Sequence, residues 1–235
     1  MKSVNLNSVA FIPDGNRRYA FARNVSLAEA YLMGTKRTWD VFDWMKKYPE
    51  TKFITFYTLS QENLSRSREE LGVLFKIFEK ELNKAISRRN LFGEGVKVNF
   101  VGKKDFFPQK IQVKMNELSE LTQDNKERII SFAIGYNGQE EIINAAKLLS
   151  EKVKSGEILS EEITLDLFKK HLYYGFPEPD LIVRTSGTQR LSGFLTYQSA
   201  YSELLFLKKY WPEINEQDID SIVNDFDSRE RRFGK

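Results

Sequence analysis

The chain has 235 residues, 41% hydrophobic, with 36 Lys and Arg against 33 Asp and Glu and a formal net charge of +3, which suits one α/β domain over 1–235 and gives a nucleic-acid role no field to act through. Zero cysteines exclude disulfides, thiolate zinc sites and a cysteine nucleophile. The N-terminus, Met1-Lys2-Ser3-Val4-Asn5-Leu6, has no sustained apolar region, and no later segment approaches the ~18 apolar residues of a membrane span; a cytoplasmic protein is expected, with a pI near 8.8 that permits peripheral contact with an anionic membrane surface.

Val9-Ala10-Phe11-Ile12 predicts a buried strand, and Pro13-Asp14-Gly15-Asn16-Arg17-Arg18 turns it into a helix whose free N–H groups can face an anion. Asp14 then stands where open α/β sheets place ligands, with hard oxygens suited to Mg²⁺. Alone, Asp14-Gly15-Asn16 is an ordinary turn with a helix cap, and Arg17-Arg18 an ordinary solvated pair. Leu27, Ala30, Tyr31, Gly34, Thr38, Val41, Phe42 and Met45 recur at helical spacing until Tyr48-Pro49. Phe53 to Leu59 reads as a strand covered on both faces. Ser67-Arg68-Glu69-Glu70 resembles a capping box for a long helix whose stripe is Leu71, Leu74, Phe75, Phe78, Leu82, Ala85 and Ile86. Further strands are expected at Val96 to Val101, Arg128 to Ile134, Asp180 to Val183 and Glu203 to Leu207, with helices at Pro108 to Leu121, Asn137 to Val153, Glu161 to His171 and Asn215 to Ser228. This alternation predicts a mainly parallel sheet flanked by helices.

The strand at Leu181-Ile182-Val183 leads into Arg184-Thr185-Ser186-Gly187-Thr188-Gln189-Arg190-Leu191-Ser192. Arg184 and Arg190 offer planar, permanently charged donors for diphosphate oxygens, and the small Ser186 and Gly187 would let backbone N–H groups approach the same anion. Two anion sites and one carboxylate suggest metal-assisted chemistry in which a diphosphate is the leaving group.

These residues carry a resemblance. Ser8 to Ala20, Ser60-Gln61-Glu62-Asn63-Leu64-Ser65-Arg66, Arg184 to Ser192, Phe194 to Leu204 and Arg229-Glu230-Arg231-Arg232-Phe233-Gly234 are five blocks in order that resemble the cis-prenyltransferases, the undecaprenyl diphosphate synthase family. The resemblance implies that family's α/β fold with a hydrophobic tunnel. It implies a Mg²⁺-dependent condensation of an allylic prenyl diphosphate with isopentenyl diphosphate, giving a cis-prenyl diphosphate. By this likeness Gly15, Asn16, Arg17, Arg18, Tyr31 and Arg66 hold the allylic diphosphate, and Arg184, Arg190 and Ser192 the homoallylic one. Asp14 is the central carboxylate, Glu203 a second Mg²⁺ ligand, and Ser60 and Asn63 lie near the departing proton. A homodimer is implied, with Arg232 and Gly234 completing the neighbouring homoallylic site. The long helix and the strand before it would line the tunnel, with Phe53, Phe56, Phe75 and Phe78 and the adjoining Thr58 making it shallow and the product short.

Departures from the pattern matter. Leu27 and Tyr31 stand where the family usually has Arg and His, and a Tyr donates a hydrogen bond without carrying charge. Pro13, Arg17, Tyr19 and Leu64 replace commoner Met, Gly, Trp and Trp. Two alternatives stay open: head-to-middle condensation to a branched, lavandulyl-type diphosphate, and a non-catalytic partner subunit, which typically lacks the central Asp that is present here. The only histidine, His171, reads as a helix-end residue and not a catalyst.

Overall fold

The computed structural model describes residues 5–87 and 95–229. Its elements, in chain order, are β1 (Ser8–Ile12), α1 (Asn16–Arg23), α2 (Leu27–Met45), β2 (Phe53–Ser60), α3 (Arg68–Ser87), β3 (Val96–Val101), α4 (Gln109–Leu121), β4 (Arg128–Tyr136), α5 (Gly138–Lys154), α6 (Leu165–Lys169), β5 (Leu181–Arg184), β6 (Glu203–Phe206) and α7 (Glu216–Ser228). The strands form one six-stranded sheet in the order β3-β4-β2-β1-β5-β6, every pairing parallel. All five residues of β1 and all four of β5 are buried, as continuous apolar runs require when helices cover both faces.

Side chains alternate across this sheet. Val9, Phe11, Ile54, Phe56 and Val98 join Val41 and Phe42 of α2, Ile111 and Met115 of α4 and Ile219 and Val223 of α7 in the larger core. Ala10, Ile12, Tyr57 and Ala133 face the other way, against Tyr136, Tyr174, Phe194 and Leu195. Phe11 stacks on Phe56 at 5.5 Å and packs against Trp211 at 6.0 Å, and each such buried aromatic contributes about 1.5–3 kcal/mol. The expectation for Phe53 is corrected by this alternation. Its ring meets Phe176 at 6.3 Å, on the face opposite Phe56.

Local chemistry sets the helix starts. Ser26 accepts from the N–H of Glu29, whose carboxylate returns to the N–H of Ser26. Asn137 and Asn215 cap α5 and α7; such caps stabilise by about 1 kcal/mol each. The box expected at Ser67 forms only by half. Ser67 Oγ accepts from Glu70 N–H at 3.2 Å, but the Glu70 carboxylate is engaged elsewhere. The helix expected from Glu161 to His171 is a short 3₁₀ turn, Ser160–Glu162, followed by α6, because Thr164 accepts from the N–H of Leu167 and restarts the helix. Beyond it His171 Nδ1 meets the Leu167 carbonyl at 2.8 Å, the helix-end role expected. Among the described residues no helix is long and apolar enough to cross a membrane.

Candidate active site

The carboxyl ends of three adjacent strands, β2, β1 and β5, meet at one crevice, with Ile12 and Arg184 in register. Just past β1, the Asp14 backbone is clamped from two directions. Its N–H donates to Thr185 Oγ1 at 2.9 Å, and its carbonyl accepts from the Thr185 hydroxyl at 2.7 Å and from Trp211 N–H at 3.0 Å. Gly15 follows at φ 102, and a Cβ there would sit 2.7 Å from the Tyr210 ring and 2.9 Å from Ser186 Cβ, so only glycine makes this turn. Asp14 Oδ2 accepts from Arg184 Nη2 at 2.8 Å and lies 3.3 Å from Arg18 Nη2. Burial alone would raise this carboxyl; the hydrogen bond and charge of Arg184, a hydrogen bond from Ser186 and the charge of Arg18 outweigh it and hold Asp14 below the ordinary carboxylate range.

Around α1 lies the first cationic group. No side chain caps this helix, leaving its leading N–H groups for an anion. Arg18 donates to the carbonyl of Ser186 at 3.0 Å and to its hydroxyl, with its guanidinium 5.9 Å from the Tyr210 ring centre. Across the crevice, Tyr31 donates to Glu70 Oε1 at 2.5 Å, Arg66 donates to Tyr31 Oη at 3.0 Å, and Arg66 and Glu70 are 3.3 Å apart. Burial, then the hydrogen bond to the Glu70 carboxylate, pushes the Tyr31 hydroxyl up, so it stays a neutral donor. Glu70 is a site residue the sequence reading missed; its i+4 spacing from Arg66 was the available signal. Gly34 is needed for another reason. A Cβ there would fall 2.2 Å from Asn16 Oδ1, a buried oxygen with no hydrogen-bond partner.

The second group differs from expectation in detail. Arg184, buried, donates to Ser192 Oγ at 2.8 Å and to the carbonyl of Arg190 as well as to Asp14. It therefore shapes the loop from below, while Arg190 is exposed and its Nε donates to Ser192 Oγ at 3.3 Å. The N–H groups of Ser186 and Gly187 do not face an anion; they donate to the carbonyls of Lys209 and Leu207 at 2.7 Å, because the backbone contacts continue past β5 and β6. Glu203 does not join Asp14 within the chain. It begins β6 level with Leu181, at the end of the sheet away from Arg184, and accepts from Arg229 at 2.9 Å. Arg232 and Gly234 lie outside the described residues.

One cavity of about 1030 Å³ unites the rest. Asp14, Gly15, Asn16, Arg17, Arg18, Tyr31, Ser60, Asn63, Arg66, Arg184, Arg190 and Ser192 all line it. Ser60 Oγ accepts from Asn63 N–H at 3.2 Å. Deeper walls come from Leu74, Phe75, Phe78, Leu82 and Ala85 of α3 with Phe100, Phe107, Leu118 and Phe132. Phe75 and Phe78 pack on Phe107 at 5.5 and 5.7 Å, and Phe100 on Phe132 at 5.7 Å. Much of the α3 stripe is therefore only half-buried: it is at once core and cavity wall. A polar, cationic mouth over an apolar pocket suits an amphiphile with an anionic head.

The undecaprenyl diphosphate synthase family model matches residues 12–234. The chain belongs to this family of cis-prenyltransferases. It is 39% identical, over 97% of its length and 95% of the relative's, to a protein of Pyrobaculum aerophilum named tritrans,polycis-undecaprenyl-diphosphate synthase (geranylgeranyl-diphosphate specific). A protein of the same name from Methanocaldococcus jannaschii is 38% identical over 97% of this chain and 82% of its own. The lavandulyl diphosphate synthase of Lavandula x intermedia, solved with dimethylallyl diphosphate, superposes with a TM-score of 0.93 at 30% identity, covering 99% of both chains. The crystal structure of a protein described as a probable undecaprenyl diphosphate synthase from Campylobacter jejuni, 24% identical with a TM-score of 0.79 over 98% of this chain and 99% of its own, shares the fold. The resemblance read from the five sequence blocks is thus borne out, and the protein is a prenyl diphosphate synthase, a transferase.

Proposed function

We propose that this single domain condenses a long allylic diphosphate, of the geranylgeranyl class, with isopentenyl diphosphate and releases a cis-prenyl diphosphate of fewer than ten isoprene units. The observation that carries this is the single cavity in which two cationic groups flank Asp14 above an apolar pocket. The allylic diphosphate sits at the N-terminus of α1, against Gly15, Asn16, Arg17 and Arg18 and within reach of Arg66 and Tyr31. The homoallylic diphosphate sits against Arg190 and Ser192, on the loop that Arg184 supports. Bond formation joins allylic C1 to isopentenyl C4 as the allylic diphosphate leaves, and a proton departs from C2 near Ser60 and Asn63.

Mg²⁺ fits this site in one way. Among the described residues no three or more acidic, His or Cys side chains cluster; with Asp14 as the carboxylate ligand, substrate oxygens and water would complete the shell, the habit of Mg²⁺ at phosphates. Bound there, it would supply charge neutralisation for the departing diphosphate. The chain's own share is positional. Arg18 and the α1 N-terminus hold the leaving group, and Arg184 keeps Asp14 ionised and fixed.

The cavity also bears on length. Its volume of about 1030 Å³ and the packed rings of Phe75, Phe78 and Phe107 that crowd its apolar wall support a short chain over a long one. The named specificity of the relatives for geranylgeranyl diphosphate supports the starter, whereas their named product, undecaprenyl diphosphate, has eleven units and is longer than the one proposed from the cavity. The structural likeness to lavandulyl diphosphate synthase favours head-to-middle coupling as a second reading, though the higher identity lies with the head-to-tail relatives. We also read the protein as a cytoplasmic homodimer able to touch an anionic membrane surface. Incubation of the purified chain with Mg²⁺, isopentenyl diphosphate and allylic starters of increasing length tests the proposal. Mass and double-bond geometry of the product should show cis extension, best from the twenty-carbon starter. A branched product, or none without a second protein, would overturn it.

A further inference from the structure

Every residue that α3 gives the cavity is apolar except Glu81. Its carboxylate accepts from Trp39 Nε1 of α2 at 2.7 Å and lies 3.6 Å from Lys84 Nζ, with the Glu81 side chain only 18% exposed. Lys84 Nζ also sits 5.7 Å from the Trp39 ring centre, and its side chain, 40% exposed, carries the contact out to the surface. A carboxylate beside an apolar pocket is costly unless its oxygens are matched; the indole N–H and the ammonium match this one. Trp39 and Glu81 both line the cavity, so the matched pair is itself a piece of its wall.

This bridge is the inner of two rungs between α2 and α3. The outer one, Tyr31 to Glu70 at 2.5 Å, stands at the cationic mouth. At a rise of ~1.5 Å per helical residue, the inner rung lies ~12 Å further along α2 and ~16 Å further along α3. Between the rungs α2 gives the cavity only Gly34, Thr35 and Thr38. Both threonine hydroxyls turn back onto their own helix, donating to the carbonyls of Tyr31 at 2.9 Å and of Gly34 at 3.2 Å. These small side chains leave a slot between α2 and the Leu74, Ile77 and Phe78 wall of α3, and the slot ends at Trp39 and Glu81.

We propose that the Trp39–Glu81 bridge is a specificity-determining contact that limits product length. An isoprenoid chain can pass between the two helices beyond it only by parting the pair, which strips the indole N–H and the carboxylate of their partners and offers none in return. With the bridge closed, growth stops when the chain fills the pocket. With the bridge parted, the end of the chain runs on between α2 and α3. This rests on the reading of the apolar pocket as the seat of the growing chain.

Mass spectra of the products made from geranylgeranyl and isopentenyl diphosphates with Mg²⁺, compared at equal total turnover, test it on wild type, Trp39→Phe, Glu81→Leu, Glu81→Gln and Phe78→Ala. Trp39→Phe keeps an aromatic ring and loses the donor; Glu81→Leu keeps the bulk and loses the acceptor. Both should lengthen the main product by at least one isoprene unit. Glu81→Gln keeps an acceptor for the indole and should retain the wild-type length. Any other pattern among these three overturns the proposal, since lengthening by Gln as well would make the charge the bar and not the bridge. A merely structural role lowers the yield of active protein without moving product mass, and that result overturns it too. Should Trp39→Phe fail to fold, Glu81→Leu against Glu81→Gln decides, because both are uncharged and of similar size. If Phe78→Ala lengthens the product while Trp39→Phe and Glu81→Leu do not, the bridge is refuted and the pocket stands as the seat of the chain. If none of the variants changes product length, the reading of the pocket fails and the proposal fails with it.

Discussion

Replacing Asp14 by Asn or by Ala separates its electrostatic from its structural duty. The Arg184 side chain is only 6% exposed, its Nε has no partner, and Nη2 rests on Asp14. Removing that acceptor leaves a buried cationic donor unmatched, a cost of about 1–3 kcal/mol, held toward the lower end because water reaches the 28% exposed Asp14 side chain. For a chain of this size that lowers Tm by about 2–8 °C. The Asn variant keeps an oxygen for Arg184 and should lose about half as much. Catalysis should not follow that ranking. Both variants lose the charge and should fall at least ~10²-fold in Mg²⁺-dependent kcat. The pH dependence has a definite sign. Because the folded-state pKa of Asp14 lies below 3.8, its stabilisation is present in full above the carboxylate range and fades as pH falls through 3.8 and then through the folded value. Thermal melts of the three proteins should therefore differ at pH 7 and converge in acid, while steady-state rates measured at pH 7 separate wild type from both variants. Near-normal turnover by Asp14→Asn would refute the role given to this carboxylate.

Other substitutions probe the remaining parts. Gly34→Ala gains about 1 kcal/mol of helix propensity but drives a methyl to within 2.2 Å of Asn16 Oδ1, an overpacking cost of ~1–3 kcal/mol; calorimetry should show a small net loss, and kinetics a raised allylic KM with an unchanged isopentenyl KM. Tyr31→Phe breaks the link from Arg66 through Tyr31 to Glu70, so the allylic KM should rise about threefold to tenfold, the worth of a hydrogen bond of about 1 kcal/mol; because burial and Glu70 push that hydroxyl up, wild-type activity should show no alkaline limb from it. Phe78→Ala removes a ring from the apolar cavity wall and should lengthen the product by at least one isoprene unit in mass spectra, at a stability cost of about 3 kcal/mol or less, since that ring is only half-buried.

The sheet was legible because its strands are continuous apolar runs closed by turn residues, and five of the six begin and end within one residue of expectation; β4 runs two residues further, to Tyr136. Asp14, Arg17, Arg18, Arg184 and Arg190 were legible because diphosphate chemistry needs arginines and a carboxylate at strand ends, whereas Tyr31, Ser60, Asn63 and Arg66 were named only through the family resemblance. What stayed hidden depends on partners remote in sequence. Arg66 four residues before Glu70 points to one partner of its carboxylate, but nothing local shows that it also takes the Tyr31 hydroxyl, and nothing near Gly187 shows that its N–H is taken by Leu207. Phe53 was assigned to the cavity with Phe56, although their odd spacing in a strand puts them on opposite faces. Glu203 was grouped with Asp14 by likeness alone; the parallel register sets it at the opposite end of β6.

The most direct test is a crystal structure of the protein with Mg²⁺, isopentenyl diphosphate and an unreactive thio-analogue of geranylgeranyl diphosphate. Two diphosphates should appear together in the one cavity, the allylic one at Gly15 to Arg18 with its chain running toward Phe78, the homoallylic one against Arg190 and Ser192, and Asp14 beside the metal between them. Competition of both ligands for one cationic group, or an allylic chain lying outside the apolar pocket, would contradict the account.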